Sequence, residues 1–269
     1  MQYLFETRAT PAENLALDEA LLDAAEAAVE TRRAEQSEAL PVLATKADER
    51  TTNSVGRGVA DEVLRLWESP VPFVVLGSSS KHGVEANVET CERDGVPILR
   101  RSSGGAAVMA GPGCLMYAVI LSYERRPELR DISAAHRFVI GSIVAALSKR
   151  VPVVDKDGTS DLVTGGRKFS GNSLRCKRDH FLYHGTILYD FPLDALPRYL
   201  GDPPRKPEYR RDRAHEEFVT NLPLPRDEII AALREAFVAG PEIAATPNDR
   251  IAALVQDRYG RQDWTKRFE

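Results

Sequence analysis

Apolar side chains recur with helical spacing in several stretches of the chain. From Leu17 to Ala28 they follow this spacing, and Thr10-Pro11-Ala12-Glu13 before them combines a capping box with proline at the first helical position. The pattern predicts an amphipathic helix with Asn14 and Asp18 on its solvated polar face. Further helices are predicted over residues 85–93, 132–146, 193–200, 225–238 and 248–259.

Strand patterns occupy much of the remaining chain. Glu62–Trp67 alternates like a half-buried strand, and runs of strand-forming residues follow it. These runs predict strands over residues 73–76, 96–99, 114–123, 151–154, 161–163, 168–175 and 181–189. Glycine or charged turns join several of them, which favours antiparallel hairpins over regular βαβ crossovers. The order of elements predicts a mixed α+β fold, with a largely antiparallel sheet flanked by helices.

Two stretches lack a clear period. Glu30–Gly58 is polar and charged with few large apolar side chains, so we expect a surface insertion there. Pro203–Arg213 is rich in proline and basic residues, and we expect a loop with solvated arginines. Because no internal repeat or interdomain linker is evident, residues 1–269 are predicted to form a single domain with an insertion at 30–58.

Composition narrows the classes of function. A net charge of -4 gives no electrostatic case for binding nucleic acid or an anionic membrane. No apolar stretch is long enough to cross a bilayer, and the N-terminus lacks the basic start of a secretion signal. Three widely spaced cysteines argue against a disulfide framework and indicate a reducing compartment. We therefore expect a cytoplasmic protein.

The stretch Arg100–Val108 (RRSSGGAAV) has the chemistry of an anion-binding loop. Its glycines let the backbone approach a ligand closely, and the two arginines before them add fixed positive charge. A tight turn between strands, with both arginines in water, is the alternative that spacing alone leaves open. Neither the P-loop nor the Rossmann fingerprint is present.

A single lysine stands between glycines in the stretch Gly165–Gly171 (GGRKFSG). If the strand points inward, the ammonium of Lys168 can stabilise charge that develops during acyl transfer; otherwise it is a surface lysine. Asp161 can hold Mg²⁺ beside phosphates or cap a turn, and His184 alone indicates a structural hydrogen bond. No nucleophile elbow or metal-ligand spacing occurs, and Cys176, although flanked by cations, is predicted to be a plain exposed cysteine.

These motifs, taken in order, resemble the lipoate–protein ligase A family of the biotin/lipoate ligase superfamily. Arg100–Val108 resembles that family's RRxSGGGAV signature, and Gly158–Gly171 resembles its NDLV…GRKxSG segment. Tyr183–Leu188 is similar to its HHGTLL strand. The match runs from about residue 10 to about residue 240, and several ordered motifs are more specific than any single one.

The resemblance implies the catalytic-domain fold shared by biotin and lipoate ligases, related to class II aminoacyl-tRNA synthetases. It implies that lipoate and ATP, with Mg²⁺, give lipoyl-adenylate, whose acyl group then passes to a lysine. The implied acceptors are the lipoyl domains of 2-oxoacid dehydrogenase E2 subunits or the glycine cleavage H protein. Lys168 is implied as the catalytic residue and Asp161 as the Mg²⁺ ligand. The residues implied to bind substrate or adenylate are Arg100, Arg101, Ser103, Gly104, Gly105, Ala106, Ala107, Val108, Met109, Asp161, Gly171 and His184.

The chain departs from the family pattern in the loop and at its end. Ala106 replaces the third glycine of the triplet, and Ala110-Gly111 replaces a His-Asp pair. The chain ends at Glu269, before the accessory domain of many full-length ligases, so we expect that adenylation can require a separate accessory chain. Two other hypotheses stay open. One is an octanoyl- or lipoyltransferase of the same superfamily, although the stretch Val151–Val154, where such an enzyme would carry its catalytic cysteine, has no cysteine. The other is a non-catalytic lipoate-binding protein.

Overall fold

The computed structural model describes residues 1–38, 61–202 and 206–268. Its strands are β1 (Gln2–Phe5), β2 (Val63–Trp67), β3 (Phe73–Leu76), β4 (Ile98–Arg100), β5 (Val108–Ala110), β6 (Cys114–Ser122), β7 (Val154–Asp157), β8 (Asp161–Thr164), β9 (Arg167–Ser170), β10 (Asn172–Cys176) and β11 (His180–Leu188). Its α-helices are α1 (Pro11–Glu38), α2 (His82–Glu85), α3 (Val88–Asp94), α4 (Ile132–Leu147), α5 (Ala195–Tyr199), α6 (His215–Phe218), α7 (Arg226–Ala236), α8 (Asn248–Leu254) and α9 (Gln262–Thr265).

The strands form one larger and two smaller sheets. The larger sheet has the order β1-β2-β6-β11-β10, in which the β1–β2 pair is parallel and the other neighbours are antiparallel. The smaller sheets have the orders β4-β3-β5 and β7-β8-β9, and only the β3–β4 pair in them is parallel. The predicted mixed α+β architecture, with largely antiparallel sheets flanked by helices, is confirmed.

The larger sheet is covered on both faces, as strand alternation along β6 shows. Its odd-numbered side chains from Leu115 to Leu121 join an apolar cluster with α4 and α7. Its even-numbered side chains from Cys114 to Ile120 join a second cluster with α1 and α8. Successive side chains of a strand point to opposite faces, so this one strand supplies the centre of both cores.

Helix α1 begins as the sequence predicts and runs further than expected. The Glu13 carboxylate accepts from the Thr10 amide and hydroxyl, and the Thr10 hydroxyl accepts from the Glu13 amide, which completes the capping box. The helix continues to Glu38. The lack of periodic structure expected from Glu30 is therefore wrong for residues 30–38. The surface insertion at 30–58 stays a prediction, and residues 39–58 lie outside the described part of the chain.

The polar residues of α1 are not solvated, so that expectation is wrong as well. Asn14 is 0% exposed and Asp18 is 3% exposed. Both contact the guanidinium of Arg65 on β2: Nη1 pairs with Asp18 Oδ1, and Nη2 donates to Asn14 Oδ1 at 2.7 Å. A buried guanidinium needs such acceptors, and they hold this face of α1 against the sheet.

Two further expectations fail for local reasons. Residues 168–175 form two strands, because the chain leaves the β7-β8-β9 sheet after Ser170 and enters the larger sheet at Asn172. The arginines of 203–213 are not all solvated. Arg210 is buried, with its guanidinium 5.2 Å from the Phe218 ring centroid and its Nε donating to the carbonyl of Arg213.

Among the described residues, no helix combines the length and the apolar character that crossing a lipid bilayer requires. That residues 1–269 form one domain stays a prediction. The two large apolar clusters lie on opposite faces of the same five-stranded sheet, an arrangement compatible with it.

Replacing Arg65 with methionine is expected to destabilise the protein by about 3–5 kcal/mol, because the buried carboxylate of Asp18 loses its charged partner. The measurement is the free energy of unfolding from urea titration. The control, Arg93→Met, removes an exposed partner of Asp94 and is expected to cost less than about 1 kcal/mol. Equal losses in the two variants would contradict this account of the Arg65 contact.

Candidate active site

Two adjoining cavities open beside the glycine-rich stretch. The larger has a volume of about 330 Å³ and extends from α1 to the turn before β8. The smaller, of about 130 Å³, lies between β9, α5 and α6. The residues that line both cavities are Ala106, Ala107, Val108, Lys168, Gly171, Thr186 and Pro207. The two cavities therefore share one wall, and that wall contains both sequence motifs.

The loop between β4 and β5 is built around the guanidinium of Arg101. Its nitrogens donate to the Ser103 hydroxyl and to the carbonyls of Gly104, Ala106 and Val75. Burial lowers the pKa of Arg101 to about 10, which is well above neutral, so the group stays charged. The cation organises the loop from inside, and the loop side chains are small enough to leave space in front of it.

Backbone packing behind the loop requires a glycine. A Cβ at Gly77, in the turn after β3, would lie 1.8 Å from the carbonyl oxygen of Gly105. Gly105 itself has φ of 92°, a conformation that favours glycine. Ser80 Oγ also donates to the Gly105 carbonyl, at 3.3 Å. The turn after β3 thus presses directly on the loop and limits where its backbone can lie.

Arg100 does not line either cavity. Its guanidinium donates to the carbonyls of Gly77 and Ser80 and to those of Trp264 and Thr265 near the C-terminus. The side chain is 0% exposed. The two neighbouring arginines therefore have different surroundings, as expected for successive residues at a strand end.

Lys168 stands where the cavities meet. Its Nζ lies 2.8 Å from Asp161 Oδ1, and the Tyr209 hydroxyl donates to Asp161 Oδ2 at 2.7 Å. Burial, followed by the charge of Asp161, raises the pKa of Tyr209, so its hydroxyl stays a donor at neutral pH. A Cβ at Gly171 would lie 3.1 Å from Lys168 Nζ. The absence of a side chain there leaves room for the lysine amine.

A chain of polar contacts closes the far side of the larger cavity. His184 Nε2 lies 2.6 Å from the Ser103 hydroxyl, which also accepts from Arg101 Nε. His184 Nδ1 lies 3.9 Å from Asp18 Oδ2. When the Ser103 hydroxyl donates to Nε2, the proton of neutral His184 is on Nδ1, facing Asp18. The loop is thereby connected to β11 and to α1.

Of the residues predicted from the sequence, most come together here. The predicted residues that line the larger cavity are Arg101, Gly105, Ala106, Ala107, Val108, Asp161, Lys168, Gly171 and His184. Met109 lines only the smaller cavity. Ser103 and Gly104 lie behind the surface, where they contact His184 and Arg101. Arg100 alone is turned away. The ligand contacts assigned to these residues stay predictions.

Several lining residues were not among the sequence-based candidates. Asp18 was assigned to solvent, and Asn172 and Ser173 were not singled out. Tyr209, which contacts the lining residue Asp161 from outside the cavities, was not singled out either. Asn172 directly follows the predicted Gly171, and its Oδ1 accepts from the Tyr117 hydroxyl at 2.6 Å. The sequence did carry a signal for Asn172, because side chains alternate along a strand and Asn172 lies on the predicted strand next to the lysine motif. Tyr209 gave none, because its contact with Asp161 spans 48 residues.

His136 and Cys176 lie away from both cavities. His136 Nδ1 lies 2.8 Å from the Tyr183 hydroxyl, and burial followed by the charge of Lys156 lowers the pKa of this histidine. His136 is thus a hydrogen-bonded residue of α4. Cys176 is an exposed free thiol at the end of β10, as predicted.

Asp161 is the residue that we predicted as a Mg²⁺ ligand. One carboxylate together with nucleotide phosphate oxygens is a donor set that Mg²⁺ commonly takes. The carboxylate of Asp161 lines the larger cavity, so its chemistry and place fit this role. No group of three or more His, Cys, Asp or Glu side chains suited to a metal ion occurs in residues 1–38, 61–202 and 206–268.

Solved structures with the same architecture cover nearly the whole chain. Protein Ta0514 of T. acidophilum, solved with bound lipoic acid, superposes with a TM-score of 0.71 at 19% identity over 98% of both chains. The bi-partite lipoate protein ligase of Thermoplasma acidophilum, studied with its E2 lipoyl domain, gives 0.73 at 21% identity over 98% of this chain and 95% of that chain. A lipoate–protein ligase A bound with ATP gives 0.71 at 20% identity over 98% of both chains. At these identities the similarity shows the fold, which is that of the lipoate–protein ligases.

The sequence itself also matches a family. The model described as "Lipoyl protein ligase A/B catalytic domain" covers residues 41–239, a stretch that includes the loop after β4, Asp161, Lys168 and His184. Because this stretch is well over half of the 269 residues, the chain belongs to the lipoyl protein ligase A/B catalytic domain family.

Proposed function

We propose that this protein is a lipoate–protein ligase that forms lipoyl-adenylate from lipoate and ATP and transfers the lipoyl group to a lysine of a lipoyl domain. The observation that carries this proposal is the place of Lys168 and the loop after β4. They line both cavities and so stand at the junction between them. A ligand made of two parts joined by a charged linkage matches such a site.

Both cavities have apolar wall residues, and these suit different parts of such a ligand. The larger one reaches Leu15, Val75 and Met116, which offer an apolar inner end for an acyl chain. The smaller one is lined by apolar side chains such as Leu188 and Phe218, which suit the flat faces of a nucleoside base. We assign the acyl chain to the larger cavity and the nucleoside to the smaller, so that the acyl–phosphate anhydride lies at Lys168.

The reaction has two balanced steps. A carboxylate oxygen of lipoate attacks the α-phosphorus of ATP, a C–O–P anhydride forms and pyrophosphate leaves. The acceptor lysine amine then attacks the carbonyl carbon, the C–N bond forms, AMP leaves and the amine loses its proton. Negative charge develops on the carbonyl and phosphate oxygens in both steps. The ammonium of Lys168 stabilises that charge, a contribution of about 3–4 kcal/mol for one well-placed donor.

The remaining site residues bind and orient. The backbone of the loop from Gly104 to Met109, shaped by Arg101, holds the adenylate, and Asp161 keeps the Lys168 amine over the junction. Mg²⁺, held by Asp161 and nucleotide phosphates, would neutralise phosphate charge when bound.

The proposed acceptors are lipoyl domains of 2-oxoacid dehydrogenase E2 subunits or the glycine cleavage H protein. The similar ligase of Thermoplasma acidophilum is bi-partite and was studied with its E2 lipoyl domain. This supports a lipoyl domain as acceptor, and we propose that a separate accessory chain takes part in adenylation here.

The purified protein is expected to transfer lipoyl from preformed lipoyl-adenylate to an apo lipoyl domain, as detected by the mass shift of the acceptor. Lipoate plus ATP tests activation in the same assay. Activity with the adenylate alone would support a separate accessory chain. Transfer from octanoyl-acyl carrier protein without ATP would identify a transferase instead, and binding of lipoate without any transfer would identify a binding protein.

Lys168→Ala is expected to lower the rate of transfer from lipoyl-adenylate by about 100-fold or more, because one charge-stabilising donor is lost. Lys156→Ala, on neighbouring strand β7, and Cys176→Ser are the controls and are expected to transfer at the wild-type rate. Circular dichroism and the melting temperature establish that each variant is folded. An unchanged rate in Lys168→Ala excludes the lysine from the mechanism, and inactivity of Cys176→Ser would indicate a thiol route.

A further inference from the structure

The C-terminal segment Asn248–Phe268 lies outside the matched family stretch, which ends at residue 239, yet it packs directly behind the candidate site. Ile251, Leu254 and Tyr259 are buried in the same apolar cluster as α1. The segment then turns through α9 and reaches the start of the loop after β4. We call residues 248–268 the C-terminal brace.

Arg100 and the brace donate hydrogen bonds to each other. The guanidinium donates to the Thr265 carbonyl at 2.7 and 3.0 Å and to the Trp264 carbonyl at 3.2 Å. In return, Trp264 Nε1 donates to the Arg100 carbonyl at 2.8 Å. The main chain at the last residue of β4, directly before the loop, is thus fixed by the brace, and the side chain of the same residue fixes the brace.

Arg100 extends this contact to the turn that presses on the loop. The same guanidinium donates to the carbonyls of Gly77 and Ser80, at 2.8 and 2.7 Å. Arg267 of the brace donates to the Ser78 carbonyl at 2.6 Å, and the Ser78 amide donates to the Ser103 carbonyl at 2.8 Å. The brace therefore holds both layers of backbone that shape the cavity wall.

A second set of contacts joins the brace to α1. The Tyr259 hydroxyl donates to Glu19 Oε2 at 2.5 Å, and Arg258 pairs with the other oxygen of the same carboxylate. Glu19 is buried and directly follows Asp18, which lines the larger cavity. Helix α1, which forms part of the cavity wall, is thus held from behind by the brace.

The loop itself has little with which to hold its shape. The stretch Gly104–Ala107 consists of glycine and alanine, so groups outside it must fix its backbone. Besides the Arg101 guanidinium, these are the hydroxyls of Ser80 and Ser173 and the carboxylate of Glu85. An anion-binding loop works only when its N–H groups are oriented before the ligand arrives. The strand end from which this loop starts is anchored to the brace by the contacts of Arg100.

We propose that the C-terminal brace is a positioning element of the reaction, and that Arg100 acts as a positioning residue that anchors the loop to it. This inference rests on the proposed function for the identity of the ligand. It does not depend on that function for the contact itself. Arg100, which resembled a ligand-binding residue in the sequence, serves the ligand through the backbone of the loop.

The test uses Trp264→Phe, which removes the indole N–H but keeps a ring, and Trp264→Ala, which also removes the ring stacked on Arg267. Isothermal titration calorimetry measures the affinity for a non-hydrolysable lipoyl-adenylate analogue and for lipoate alone. We expect Trp264→Ala to lose about tenfold in analogue affinity and Trp264→Phe about threefold, while lipoate affinity changes less than about twofold. Arg261→Ala, which removes an exposed pair with Asp263 in the same segment, is expected to bind like the wild type.

Amide hydrogen exchange gives a readout that is independent of any ligand. In Trp264→Ala, the amides of Arg101 and Ser78 are expected to exchange faster, since they bond to the Leu76 and Ser103 carbonyls behind the loop. Amides of β6 and β11 are expected to exchange at the wild-type rate.

Unchanged analogue affinity in both Trp264 variants overturns the proposal. An equal loss of affinity for the analogue and for lipoate, combined with faster amide exchange throughout β6 and β11, also overturns it. General destabilisation of the protein would then explain the loss of affinity. A wild-type protein that binds neither ligand contradicts the proposed function instead. In that case, the exchange of the Arg101 and Ser78 amides in Trp264→Ala decides the structural part of the inference. An unchanged rate overturns the claim that the brace anchors the loop, and a faster rate supports it.

Discussion

The candidate site depends on hydrogen-bond acceptors for buried guanidinium groups, among them those of Arg65, Arg100 and Arg101. Arg65, Arg100 and Arg101 are 0%, 0% and 7% exposed, and each needs acceptors because a charge removed from water is costly when unpaired. The acceptors of Arg100 and Arg101 are mainly main-chain carbonyls of turns and loops. Those of Arg65 include Asp18 and the main chain of α1. The positions of these segments follow from that requirement.

This arrangement separates structural cations from the cation that faces the ligand. The guanidinium groups of Arg100 and Arg101 are occupied mainly by protein carbonyls, although Arg101 also lines the larger cavity. Lys168, by contrast, is paired with the side chain of Asp161 at the junction of the two cavities, and it is the lysine on which the proposed chemistry depends. A compact ammonium on a flexible stem can change partners when an anion arrives, whereas a guanidinium held by several carbonyls cannot do so without moving the backbone.

The sequence was sufficient for the architecture and for the two motifs, because those features are local. Strand alternation along β6 and the capping box before α1 are written in consecutive residues. It was insufficient where a partner lies far along the chain. Asp18 was assigned to solvent because its partner, Arg65, is 47 residues away. Arg100 was grouped with Arg101, although its acceptors near Thr265 lie 165 residues further on. The continuous strand expected over residues 168–175 failed because nothing local reveals that the chain changes sheets at Gly171.

The most direct test of the central claim is a crystal structure of the protein with a non-hydrolysable lipoyl-adenylate analogue. We expect the group that replaces the anhydride to lie within hydrogen-bond distance of Lys168 Nζ, roughly 2.7–3.2 Å. The acyl chain should occupy the cavity that reaches Leu15, and the nucleoside the cavity between β9 and α6. An analogue bound elsewhere, or with its linkage remote from an amine still paired with Asp161, would contradict the account.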